Sequence, residues 1–320
     1  MVKKRKEGFI MSKTFERKDD YSEKTLRDVK KLLDASREIG MDVIAIPNIK
    51  TIICYYSGYP FVEINDNDWK WKGFKSYADK HFNDVSDEIK DIIRGDNKNL
   101  SYKSFLLNPE NDWDNLKIIL KGVSKAQFGT VERRTQHFIT NNNINFNKDV
   151  YSVCGFETKI GRNVCDGKSP KIDLVLFCPK KNSFILLEFK CKDGSVIKPK
   201  SNVKEHCKDS ACVIRATKNI KFADSMIKSY NLMCKIEGKP QVICSADEVE
   251  FKIGFLLTGN HYKLNNDNCI KPETNIEAIS VIKSLSDITD KEKKNILWYW
   301  AEDYRTVEFL PENFTRLEDL

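Results

Sequence analysis

The chain has 320 residues, 40% hydrophobic and 32% charged, with a net charge of +7 at pH 7. That supports a sizeable core in one large domain or two modest ones, and it favours polyanions without the charge of a purely electrostatic binder. The basic start MVKKRKEGF has no apolar run of the secretory kind, and no stretch approaches the roughly 20 apolar residues of a membrane span. A cytoplasmic protein is expected.

Residues 1–20 are charged and lack periodicity, which reads as a flexible basic leader. Residues 21–122 read as an N-terminal α/β region. Ser22 can cap a helix carrying Leu26, Val29, Leu32, Leu33 and Ile39 at helical spacing, and Gly40 supplies its stop. Two short strands, Val43 to Ile46 and Thr51 to Tyr56, follow before the breakers Gly58 and Pro60. Asn65 to Tyr77 interleaves Trp69, Trp71, Phe74 and Tyr77 with three lysines. Such a segment suits nucleic-acid stacking, and equally a half-buried edge strand with its lysines in water, the reading preferred here. Helices are expected near Val85 to Arg94 and Trp113 to Leu120.

Gly129 to Thr140 is an amphipathic helix, ended by Asn141 to Asn143, and Val150 to Ile160 reads as a first core strand. Ile172 to Cys178 and Phe184 to Phe189 then read as two buried strands joined by Pro179 to Ser183 in a hairpin. Alternation puts Glu188 and Lys190 on one face and Leu187 and Phe189 on the other. In an antiparallel hairpin, Asp173 at the start of one strand comes opposite Glu188 at the end of the next. Two carboxylates held that close repel unless a cation lies between them, and a divalent metal suits the position with Lys190 beside it. The competing reading is a solvated strand margin whose charges discourage edge pairing.

Between residues 192 and 228 nine cations face four acids, so positive charge gathers just past this hairpin. Val213 to Cys234 reads as one or two helices and Phe251 to Thr258 as a further core strand. Leu264 to Asn275 is a polar loop taken as a boundary, and Ile276 to Leu285 and Lys291 to Tyr304 read as a helical C-terminal extension over 264–320. The ten cysteines include no CxxC pair and read mainly as small buried hydrophobes. A disulfide framework is not expected, and His206, Cys207 and Cys212, with Cys191 nearby, have only a loose zinc-ligand spacing. No GxxxxGK[ST] occurs, so the chain holds no P-loop.

Pro170, Asp173, Glu188, Phe189 and Lys190 resemble the signature of the PD-(D/E)XK nuclease superfamily, with 15 residues from acid to acid. Lys171 and Ile172 stand between the proline and the acid that are adjacent in the family. The likeness covers about residues 128 to 260, within a core taken as 123–263, and is nearest to bacterial nuclease domains appended to ATPase-like modules. In that group an Ala-Leu-Glu-Gln-Ile-like run is typical, where Ala216 to Ile220 here reads ATKNI, without the glutamine.

The resemblance implies an α/β fold, a restriction-endonuclease-like core whose mixed central sheet is flanked by helices. It implies a magnesium-dependent deoxyribonuclease, with Mg²⁺, replaceable by Mn²⁺, on Asp173, Glu188 and the Phe189 carbonyl, and Lys190 positioning the attacking water. Mg²⁺ is expected over zinc because neither His nor Cys is placed to join the two acids. Glu132, on the helix ahead of the first core strand, matches a further acid. Arg133, Arg134, Lys192, Lys218 and Lys221 are the expected contacts to DNA. Two other readings stay open, a catalytically silent nucleic-acid-binding or protein-interaction module of this fold, and a nuclease directed at RNA. No membrane partner is expected, and a homodimer is left open.

Overall fold

The computed structural model describes residues 21–71 except 49 and 68, 116–117, 120–121, 123–124, 130–161, 164–165, 169–197, 202–217, 221–259 and 270–320. The readings at 1–20, at 85–94, at Lys218 and over most of 113–120 lie outside the described residues.

The chain begins with helix α1 (Glu23–Glu38), capped as expected: the Thr25 N–H donates to Ser22 Oγ at 3.2 Å, and Gly40 past its end takes φ +70°. Its apolar stripe, Leu26, Val29, Leu32 and Leu33, packs on a four-stranded antiparallel sheet of β1 (Val43–Pro47), β2 (Ile52–Tyr56), β3 (Tyr59–Ile64) and β4 (Trp69–Trp71), in that order. β4 forms the margin of this sheet, with Trp69 buried, in keeping with the edge-strand reading. The β2–β3 link is a tight turn in which Ser57 and Gly58 both have positive φ, +50° and +78°. Two left-handed residues in succession match the twist of the paired strands.

A six-stranded sheet forms the centre. Helix α2 (Val131–Asn142) precedes β5 (Ser152–Lys159), β6 (Lys171–Cys178) and β7 (Ser183–Lys190), which pair antiparallel. The chain then crosses through α3 (Val203–Ala216) and α4 (Phe222–Ile236) to β8 (Glu250–Thr258), which lies parallel to β7. Parallel neighbours need such a crossover, whereas the antiparallel hairpin needs only a turn. β7 is buried at every position, which is why its sequence runs apolar on both faces apart from Glu188 and Lys190.

Beyond β8 the structure departs from the helical extension read in the sequence. Pro272–Lys283 is a helix, α5, but Ile296–Ala301 is a strand, β9, parallel to β8, and Thr315–Arg316 adds β10 against it. The sheet order is therefore β10-β9-β8-β7-β6-β5, and the last 25 residues belong to the same sheet as the hairpin. Trp298 packs on Phe255 with ring centroids 5.3 Å apart, and Trp298 Nε1 donates to Asn275 Oδ1 at 2.8 Å.

Two apolar layers sandwich the sheet. On one side, Phe177, Phe184 and Leu186 meet Phe222, Met226 and Tyr230 of α4, while Phe255 and Leu257 meet α3 and α5. On the other, Leu174, Leu176, Leu187 and Phe189 meet Ile139 of α2, Ile44 and Ile46 of β1, and the tail residues Phe309 and Phe314. The N-terminal sheet is thus joined to the central one through a shared core.

Candidate active site

The end of the hairpin strands brings the expected charges together. β6 and β7 pair with Leu174 opposite Leu187, so Asp173 and Glu188 come next in register. The Phe189 N–H donates to Asp173 Oδ2 at 3.1 Å, tying the first acid to the strand that carries the second. Lys190 Nζ stands 2.5 Å from Glu188 Oε1 and 3.6 Å from Glu132 Oε1 on α2. All of Asp173, Glu188 and Lys190 are buried, at 8%, 4% and 4% exposure, so these charges act on one another with little screening by water.

Burial and the neighbouring Glu188 push the Asp173 carboxyl up to about 8. Burial also penalises a charge on Glu188, but Lys190 and His206 outweigh it and hold Glu188 below the ordinary carboxylate range. For Lys190 burial opposes the charge, and Glu188, Asp173 and Glu132 together overcome it, raising its pKa above that of a free lysine. Ionisation is therefore favoured for Glu188 and Lys190 and opposed for Asp173.

Two residues in this cluster were not expected from the sequence. His206, on the first turns of α3, places Nδ1 3.0 Å from Glu188 Oε2, which corrects the view that no histidine reaches the acids. Glu188 raises the pKa of this imidazole against the effect of burial. Gln136, one turn along α2 from Glu132, donates from Nε2 to the Asp173 carbonyl at 3.0 Å and fixes α2 on β6. Both contacts join segments distant in sequence, and a glutamine or histidine on an amphipathic helix gives no local sign of them.

The remaining expected residues are placed as follows. The Phe189 amide meets Asp173, and the residue pairs with Leu256 in the β7–β8 ladder. Arg133 lies with its guanidinium 5.0 Å from the Tyr59 ring centroid, Arg134 is half-buried on α2, and Lys192 and Lys221 are exposed. The basic stretch after Lys190 is less available than its count suggests, because Lys208 pairs with Asp287 at 2.5 Å and Arg215 with Glu292 at 2.7 Å.

The zinc spacing dissolves in three dimensions: His206 turns to Glu188, Cys191 and Cys207 are buried in apolar layers, and Cys212 is bonded to Cys165. That disulfide runs against the expectation of none and pins the loop between β5 and β6 to α3. Among the described residues no three His, Cys, Asp or Glu side chains are grouped to hold a metal ion. The donor set at the hairpin is two carboxylates in mutual repulsion. A hard divalent cation against both would reverse that repulsion, so their chemistry fits an oxygen-preferring ion.

No family model, no curated protein and no solved structure matches the chain. What the fold and site define is a class: a mixed α/β protein with a six-stranded mixed sheet flanked by helices and an ionised cluster at one end of its hairpin. Among the described residues no helix is long and apolar enough to cross a membrane.

Proposed function

We propose that the chain is a metal-dependent nuclease of the PD-(D/E)XK type acting on DNA. The observation that carries this reading is the convergence of Asp173, Glu188 and Lys190 at one end of the hairpin, with Glu132 reaching the same lysine from α2. Asp173, Glu188 and the Phe189 carbonyl would hold Mg²⁺ or Mn²⁺. When bound, such an ion supplies a Lewis acid for the phosphodiester and a bound water of lowered pKa.

The chain's own groups take the other roles. Lys190, whose charge its acidic neighbours favour against burial, is suited to stabilise negative charge building on the phosphate. Glu188 stays charged between Lys190 and His206, so its orientation is set before substrate arrives. Gln136 and the Phe189 amide fix Asp173 from two sides. Glu132 holds Lys190 from the helix and is placed to orient it.

One observation favours a second reading. Both oxygens of Glu188 already have partners, Lys190 and His206, which is how a structural ion-pair network would also look. In that case the fold is a binding module with a silent site.

The test is cleavage of plasmid, linear duplex, single-stranded DNA and RNA by the pure protein with Mg²⁺, Mn²⁺ or EDTA, beside Lys190→Ala and Asp173→Ala checked for folding by circular dichroism. Metal-dependent cutting lost in both folded variants supports the nuclease, and the preferred substrate separates DNA from RNA. Absence of cutting on every substrate, or cutting that both variants retain, rejects it.

A further inference from the structure

A cleft of about 550 Å³ lies between the β2–β3 turn and the end of β5, beside the candidate active site. That is within the roughly 300–1,000 Å³ of small-ligand sites. One wall carries Tyr59, the first residue of β3 after the turn and 38% exposed, and the floor carries the buried Phe156. The Arg133 guanidinium sits over Tyr59, and Lys159 and Lys171, opposite one another in the β5–β6 ladder, line the other side.

The Glu157 side of the cleft borders the site, since Glu157 acts electrostatically on Asp173. Lys171 lies two residues before Asp173 on β6 and Arg133 follows Glu132 on α2, so each wall leads to a residue of the cluster. Glu157 links the two, with Oε2 2.5 Å from Lys171 and 3.9 Å from Arg133. Its backbone is left-handed, φ +49°, in a strand already irregular between Val153 and Gly155. A residue other than glycine persists in that conformation only where its surroundings hold it.

We infer that this cleft seats unpaired nucleotides of a single DNA strand next to the phosphate at the Asp173–Glu188 end, with Tyr59 as the stacking surface; the inference rests on the nuclease reading for its substrate. Three cations face two carboxylates, Glu63 and Glu157, in the cleft, so its grip depends on the ring more than on charge. An exposed ring at a strand end takes the face of an unstacked base, which a paired duplex does not offer. Arg133 and Lys171 exchange Glu157 for backbone phosphates as the strand enters.

The test uses a short labelled oligodeoxynucleotide, single-stranded or annealed, and its RNA counterpart, with full-length protein in EDTA. Fluorescence anisotropy reports affinity across a salt series, and cleavage with Mg²⁺ is run in parallel. The single DNA strand is expected to bind more tightly than the duplex. Tyr59→Ala is expected to weaken the single strand about five- to hundred-fold, with Tyr59→Phe retaining affinity. Lys171→Gln is expected to flatten the salt slope by about 0.7, the share of one phosphate on a single strand. If Tyr59→Ala and Lys171→Gln bind and cut as the wild type does, the cleft is not the strand site, while the nuclease reading stands. If binding depends on Tyr59 but nothing is cut, the cleft assignment holds and the nuclease reading falls. Absence of binding to every oligonucleotide overturns the cleft assignment outright.

Discussion

Nδ1 of His206 stands 3.0 Å from Oε2 of Glu188, so a side chain from the crossover helix completes the surroundings of an acid from the hairpin. The contact orients Glu188 without touching Asp173's side of the pair. Replacing the orienting partner of a metal-binding carboxylate typically costs ten- to hundred-fold in metal affinity or activity. On the nuclease reading proposed above, His206→Ala is expected to raise the Mg²⁺ concentration for half-maximal cleavage by about ten- to hundred-fold, and His206→Gln to recover part of it. A metal titration unchanged in His206→Ala would remove the residue from the site.

The Glu188–Lys190 pair makes a separate prediction about stability. Breaking a buried ion pair by removing one partner costs about 3–5 kcal/mol, because the other charge is left uncompensated, whereas replacing both by apolar groups is often neutral or stabilising. Lys190→Met should therefore lower the denaturation midpoint sharply, and the double replacement Lys190→Met with Glu188→Leu should recover most of it. Denaturant unfolding of the two single variants and the double gives the coupling directly. Glu132 and His206 remain in all of them, so the recovery will be incomplete if their charges need the pair.

His137 sets a pH dependence in the shared core. Its Nε2 lies 2.9 Å from the Asp42 carbonyl and so carries the proton, while Nδ1 is buried without a hydrogen-bond partner. Burial lowers its pKa from 6.5 to about 4, against a smaller contrary pull from Asp42. A folded value below the unfolded one means that its contribution is complete above about pH 6.5 and is lost as the pH falls through about 4. The amount is on the order of 3 kcal/mol. Asp173 pulls the other way, since its raised pKa favours folding at lower pH. The measurement is the difference in unfolding free energy between wild type and His137→Gln from pH 7 to pH 4. That difference should shrink or change sign on acidification, and a flat difference would show that the imidazole is solvated.

The C-terminal strands predict the outcome of truncation. Removing residues 264–320 takes away β9 and β10 and uncovers β8, whose Phe255 and Leu257 pack against Trp298 and Ile296. The shortened chain is expected to be aggregated or unfolded, with an unpaired buried strand exposed at its edge. A monomeric, cooperatively melting fragment 21–263 would contradict this account of the sheet.

The hairpin strands were legible because IDLVLFC and FILLEF are short apolar runs on either side of a turn, and their antiparallel register brought Asp173, Glu188 and Lys190 to one place. Glu132 was named from the resemblance, which places an acid on a helix ahead of the first core strand, and α2 sets it 3.6 Å from Lys190. β9 was misread because ILWYWA follows the helical turn Asp290–Lys293 with neither glycine nor proline between them, so the two ran together as one helix. Its aromatics then fit a helical spacing equally well. His206, Gln136 and the Cys165–Cys212 bond left no trace in local pattern, since each depends on how a helix is laid across the sheet.

Gly58 lies against the first turn of α2 so closely that a Cβ there would meet the Arg133 carbonyl oxygen at 2.5 Å, at a backbone φ of +78°. Two rigid parts touch there with no side chain between them. A side chain at position 58 would therefore push the β2–β3 turn away from α2, the helix that carries Glu132.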